Sequence, residues 1–326
     1  MRPPLSLLRR VLDRAQQHDP RNSWFGIGRS LIAFAHLITL ALTAPGALLA
    51  PVLGEAQAPH CDSLNVISAY CIGPSSIGQE WRRWIMVGLL AVICSGFRPR
   101  WTVVPHFWIA FSIGNSIALP DGGDSVAKIV CLLLIPIGLA DDRVWHWVRP
   151  HREIAPTLRT LSFVFVIGIR AQLAGLYLDS AITKLGVPDW VNGSAEYYIV
   201  RDHLFGVAAP LSGMVNAITR ISFVTAGMSW GAIAIEIVIA VCLLSTRRWR
   251  KVGLELDLAL HAMIIITMGL WSFALIMIGS CFIAAMPDRR QTVAPAPTDQ
   301  MSEADMSEAD LAVDRMPVRE PAAVSR

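Results

Sequence analysis

The chain has 326 residues, 54% of them hydrophobic and only 16% charged, with a formal net charge of +3. A soluble domain carries about 25% charged residues. Here the apolar residues come in long blocks and the mean hydropathy is +0.49, which is the pattern of a helical membrane protein. No basic patch is interleaved with aromatics and no Gly-rich phosphate loop follows a strand, so a nucleic-acid partner is excluded.

The expected fold class is all-α: a polytopic transmembrane helix bundle of about eight spans, with six to nine compatible with the pattern. Residues 1–23 form a basic segment whose Leu5, Leu8 and Leu12 allow a short amphipathic helix on the membrane surface. The first span, about 24–49, contains Arg29 and His36; Arg29 lies near its start and is expected to snorkel toward the interface. The triplet Ala56-Gln57-Ala58 resembles a signal-peptidase site, yet the long n-region and embedded Arg29 favour an uncleaved span. A loop over 45–83 carries Cys61 and Cys71.

Spans follow at about 84–97, 103–119 and 126–140, divided by Arg98-Pro99-Arg100 and by the polar turn from Pro120 to Asp124; Lys128 sits near the start of the last. After an Arg- and Trp-rich connector over 141–157, a fifth span at 158–181 runs into a polar helical stretch that Gly186 and Pro188 stop. A second long loop, 186–220, precedes a sixth span at 221–244 with Glu236 inside it. The apolar region 252–286 exceeds the ~20 residues of one span, so a break at Gly269–Ser272 is predicted. The membrane domain is thus 24–286. The tail over 287–326, with MSEAD twice at 301–310, is expected to be disordered.

Arg and Lys crowd the connectors at 98–100, 141–157 and 247–251, which places these and both termini in the cytoplasm of a multi-pass cell-membrane protein. Arg82 and Arg83 depart from this rule. The long loops then face outward, where a Cys61–Cys71 disulfide can persist. Cys94, Cys131, Cys242 and Cys281 fall in spans and read as small packing residues.

Charged residues inside a bilayer are costly and mark function or internal pairing. In the stretch 170–198, Arg170, Tyr177 and Lys184 are seven apart and share one helical stripe, while Gln172 and Asp179 share another. Arg170 and Asp179 read as internal struts, with Glu236 or a carbonyl as the partner for Arg170. Lys184, at the outer helix end, reads either as a working base or cation or as a snorkelling anchor. Asp257 and His261, four apart, share a helix face, so the carboxylate can fix the imidazole tautomer. Glu255 points away from them and no C-x-x-C pair is present, so no metal is expected.

The run Gln172…Tyr177…Ser180-Ala181-Ile182-Thr183-Lys184-Leu185…Asp189-Trp190…Gly193…Tyr197-Tyr198 resembles the horizontally transferred transmembrane (HTTM) domain. This is the membrane domain shared with vitamin K-dependent γ-glutamyl carboxylase. Within it the chain is most similar to the sporulation-delaying protein B group. Supporting matches are Arg29, Asn115…Asp121-Gly122-Gly123-Asp124, Asp141-Asp142-Arg143 and His261…Met268-Gly269-Leu270…Phe273. The carboxylase resemblance implies an outward-facing site with Lys184 as the base toward a reduced, vitamin K-like quinone. Asn115 is followed by Ser116 where the carboxylases carry a histidine, and only the short tail follows where they carry a β-rich domain. The sporulation-delaying group implies instead production of a secreted peptide toxin, with a secreted peptide precursor and a small accessory protein as partners beside the lipid bilayer. The expected site is catalytic Lys184 and His261, a cavity lined by Tyr177, Trp190 and Gln172, and structural polar residues Arg29, Asp124, Arg170, Asp179, Glu236 and Asp257. A non-catalytic transporter or immunity-type binding protein is the remaining alternative, so whether the chain is an enzyme stays open.

Overall fold

The computed structural model describes residues 4–52, 54, 58–74, 77–203 and 205–287. The tail beyond 287, and Ala56 and Gln57 of the signal-peptidase-like triplet, lie outside the described residues. Among those described, the regular structure is helical, apart from one isolated antiparallel bridge between Phe97 and Trp145. The helices are α1 (Pro4–Gln17), α2 (Ser23–Leu42), α3 (Pro45–Leu48), α4 (Gln79–Ser95), α5 (Pro99–Ser116), α6 (Gly122–Leu139), α7 (Pro156–Leu185), α8 (Pro188–Val191), α9 (Ala195–Ile199), α10 (Ser212–Ile218), α11 (Ser222–Leu244), α12 (Arg247–Met268) and α13 (Trp271–Ala284).

Local chemistry sets these boundaries. The Asn22 side chain accepts from the Phe25 N–H and caps α2. Asp121 and Asp124 form a reciprocal capping box at the start of α6. Prolines open α5, α7 and α8, where the missing N–H costs nothing. The break expected at Gly269–Ser272 is present: α12 closes on Gly269 at φ +69°, a left-handed conformation that glycine takes without a Cβ penalty.

Four helices, α2, α6, α7 and α11, are long and apolar enough to cross a membrane. The other four segments read as spans are also helical but fall outside that class. The helix α4 has 17 residues and α13 has 14. Arg100 and His106 make α5 more polar, and α12 opens on Arg247, Arg248, Arg250 and Lys251. The outward faces of α7 and α11 are apolar, with Val164, Ile167, Val238 and Val241 exposed, as a lipid-facing surface requires.

The short apolar helix α13 lies at the centre, packed on α2, α6, α7 and α12. A helix that is apolar all round is buried, and Ile276 through Cys281 are. It meets α2 backbone to backbone: a Cβ placed on Gly279 would lie 2.7 Å from the Gly28 carbonyl oxygen. Small residues permit such close helix crossings. One apolar core joins α2, α5, α6, α7, α11, α12 and α13; a smaller one joins α2, α4 and α5 with Leu48 and Tyr70 from the first long loop.

That loop is tied in place at several points. Cys61 and Cys71 form a disulfide with Cα atoms 5.6 Å apart. Arg82 donates to the carbonyls of Ala69 at 3.0 Å and Pro74 at 3.1 Å, and Arg83 to that of Leu40 at 2.8 Å. These two arginines depart from the charge rule because they serve as buried carbonyl clamps. At the other end of the bundle, His18, Asp19, Arg21 and Asn22 are packed into the protein, and Arg21 bridges Asp19 at 2.9 Å and Asp142 at 3.0 Å.

Candidate functional site

The stripe of α7 that carries Arg170, Tyr177 and Lys184 faces the bundle interior, and each residue meets a different element. Arg170 donates to the carbonyls of Ala284 at 2.7 Å and Met286 at 2.9 Å, at the end of α13. The Tyr177 hydroxyl donates to Asp257 on α12. The Lys184 ammonium donates to both Glu236 oxygens on α11, at 2.7 and 2.9 Å, and to Ser180 Oγ at 2.6 Å. Glu236 therefore partners Lys184, whereas the expected alternative of an Arg170–Glu236 pair gives way to carbonyl binding.

Helix α7 stops at Leu185, with Gly186 as its C-cap and Pro188 opening α8. Lys184 thus sits in the last turn, where the helix dipole favours a cation. The chain then folds back over it. Trp190 on α8 places its ring 5.2 Å from Lys184 Nζ. Ser229 of α11 holds α9 down, donating to the Gly193 carbonyl at 3.2 Å and accepting from the Glu196 N–H at 3.3 Å.

Below this lid lies a cavity of about 530 Å³, within the range of small-molecule sites. Lys184, Glu236, Tyr177, Trp190 and His261 all line it. Depth along separate helices gave no reason to join Lys184 with His261; the fold-back of α8 and α9 creates the space that does. His261 is 2% exposed, with Nδ1 3.0 Å from the Asp257 carbonyl and 3.2 Å from Asp257 Oδ1. Two acceptors on one side place the proton on Nδ1 and leave the Nε2 lone pair for the cavity. Asp257 is itself fully buried and held by Tyr177. The result is a Tyr177–Asp257–His261 relay on the cavity wall and a Lys184–Glu236 pair at its mouth.

Three expectations are corrected by this geometry. Asp179, read as an internal strut, is exposed at the cavity rim because its stripe of α7 faces outward. Gln172, on the same stripe one turn pair earlier, is half-buried and does not line the cavity. Arg29 does not snorkel: it is fully buried and donates to Thr102 Oγ1 at 2.6 Å. Asp124 serves in the α6 capping box and lies 3.4 Å from His36 Nε2.

Two lining residues had weaker signals. Ser180 is four residues before Lys184 on one helix face, a spacing that could have joined them. Glu196 lies in the folded-back segment, where no periodicity links it to α7. Burial pushes its carboxyl above the usual range, against the pull of Lys184.

No known family model matches the chain, and no solved structure does. Among characterised proteomes, the uncharacterized protein YitO of Bacillus subtilis (strain 168) is 30% identical over 286 residues, covering 86% of this chain and 92% of that protein. Sporulation-delaying protein SdpB of the same organism is 28% identical over 272 residues, covering 83% of each. With apolar helices suited to a membrane and this likeness along nearly its whole length, the chain belongs to the family of YitO and is an SdpB-like membrane protein.

Proposed function

We propose that the chain is a multi-pass cell-membrane protein of about eight spans, with cytoplasmic termini, that acts in the production of a secreted peptide toxin. In this reading the HTTM-like core works at the outer face on a peptide precursor, with a small accessory protein as partner. Likeness to a sporulation-delaying protein supports the role. The observation that carries it to a site is one cavity lined by Lys184, Glu236 and His261 together.

The chemistry follows from the groups present. The half-buried Lys184 ammonium and the buried Glu236 carboxylate can hold the charged ends or side chains of a peptide. The apolar walls exclude water, which strengthens those contacts. The His261 Nε2, oriented through Asp257, can take or give a proton to a group seated in the cavity.

A second reading, a quinone-dependent carboxylase-like enzyme, draws on the largely apolar lining around a few polar groups. Here Lys184 donates to two carboxylate oxygens, so a free-base role would require Glu236 to let go first.

The test is mass spectrometry of secreted peptides from a deletion strain carrying wild type, Lys184→Ala or Lys184→Arg at matched protein levels. Lys184→Ala is expected to reduce the mature peptide at least tenfold, with partial rescue by Lys184→Arg. Unchanged peptide mass and yield in Lys184→Ala would overturn the site. A mature peptide carrying an added carboxyl group would favour the second reading over the first.

A further inference from the structure

The polar groups lining the Lys184 cavity narrow what it can hold; only the assumption that the occupant is a peptide rests on the proposed function. Among the described lining residues Lys184 is the one lysine or arginine, and it faces the carboxylates of Asp179, Glu196 and Glu236. An ammonium has three N–H groups. Those of Lys184 are spent on the two Glu236 oxygens, at 2.7 and 2.9 Å, and on Ser180 Oγ at 2.6 Å. The hydroxyls beside it are spent too: Ser180 donates to Glu236 at 3.1 Å, and Tyr177 donates to Asp257. An anionic occupant would find no free charged donor here and would have to displace Glu236 to reach one.

Acceptors, by contrast, are in surplus. Lys184 and Glu236 cancel, which leaves Asp179 on the exposed rim and Glu196 on the half-buried lid. Among the described residues neither carboxylate accepts a hydrogen bond or forms an ion pair. Lys184 acts on Glu196 electrostatically, yet burial still pushes that carboxyl above its usual range, a penalty that a second ammonium beside it would offset. On the wall, His261 is 2% exposed and turns Nδ1 to Asp257, so its Nε2 offers a lone pair that no donor among the described residues meets. Buried acceptors are normally satisfied. The rest of the lining is largely apolar and includes Val126, Leu260, Ile264, Phe273 and Met277. The occupant that answers both parts brings N–H donors and positive charge on an apolar body. At about 530 Å³ the space has the size of a small-molecule site, so it takes a residue or two of a chain rather than a folded partner.

We propose that the cavity selects a primary ammonium carried by an apolar peptide, a lysine side chain or a free amino terminus, with Glu196 and Asp179 as its counter-charge and His261 Nε2 as a further acceptor. Acidic side chains are rejected by the same groups through like charge.

Binding to the full chain in detergent is measured by calorimetry for an apolar pentapeptide amide with lysine, norleucine or glutamate at its centre, each acetylated, and for the norleucine peptide with a free amino terminus. At least one amine-bearing peptide is expected to bind about tenfold tighter than the acetylated norleucine and glutamate peptides, and which one does so identifies the source of the amine. Glu196→Gln combined with Asp179→Asn keeps both shapes and removes both charges. It should weaken the amine-bearing peptide about tenfold and leave the acetylated norleucine peptide unchanged. No gain from either amine, tightest binding by the glutamate peptide, or an amine preference that survives the double substitution would overturn the proposal. Should the substituted protein fail to fold, the order of the four peptides on wild type decides. The secretion assay fails separately: amine selectivity with unchanged peptide yield in Lys184→Ala contradicts the toxin role alone, and a fallen yield without amine selectivity contradicts this inference alone.

Discussion

His146 lies in the connector between α6 and α7, 1% exposed against Gly26 and Gly96. Burial, with the charges of Arg29 and Arg143, pushes its pKa down from 6.5 to about 3. The unfolded imidazole binds a proton near pH 6.5 that the folded one refuses. Its contribution to stability is therefore fully present above that pH and is lost as pH falls toward 3. The melting temperature is expected to fall on acidification through this window, and His146→Gln to flatten part of that fall in a pH series by scanning fluorimetry. A slope unchanged by His146→Gln would contradict the assignment. At this scale residue type was a partial guide. The seven-residue stripe placed Arg170, Tyr177 and Lys184 on one face, and the same periodicity put Gln172 and Asp179 elsewhere. It could not tell which stripe faced inward, since both carried polar residues. Hence Asp179 looked like a strut, and Glu236 was matched with Arg170 until the neighbouring helices were placed.

Helix limits were readable because their causes are local. Pro at the first turn, the Asp121–Asp124 box and Gly269 act within a few residues of themselves. The central position of α13 was not, because apolar composition is the same for a lipid-facing span and a core helix. Its contact with α2 depends on Gly28 and Gly279, whose role is visible only once the two backbones are side by side. A Cβ on Gly28 would lie 2.6 Å from Ile283 Cγ1 and against the Gly279 carbonyl. Backbone cannot yield as a flexible side chain does, so Gly28→Val is expected to cost about 1–3 kcal/mol by overpacking. Gly168→Ala on α7, where a Cβ meets open space, should be near neutral or slightly stabilising. Paired thermal melts check this; equal melting of the two variants would argue against a close α2–α13 crossing.

Across the molecule, composition alone gave the membrane class, and charge distribution gave a proposed orientation. Arg82 and Arg83 broke the charge rule for a reason that lies in the fold: Arg82 binds carbonyls of the first long loop and Arg83 those at the end of α2. The cavity was only half visible from sequence. Lys184 and His261 were each marked by chemistry, but they share a site because α8 and α9 fold back over the end of α7, and no local pattern encodes that return. In the proposed function, the Lys184–Glu236 pair at the cavity mouth binds what the protein works on, and does more than brace α7 against α11. Exchanging the charges, Lys184→Glu with Glu236→Lys, separates the two roles, because a brace survives the exchange and a binding site of fixed polarity does not. Secreted peptide is measured by mass spectrometry alongside membrane protein level and melting temperature. The binding role predicts a doubly substituted protein that accumulates and melts like wild type yet yields little or no mature peptide; recovery of the peptide to wild-type yield would contradict it.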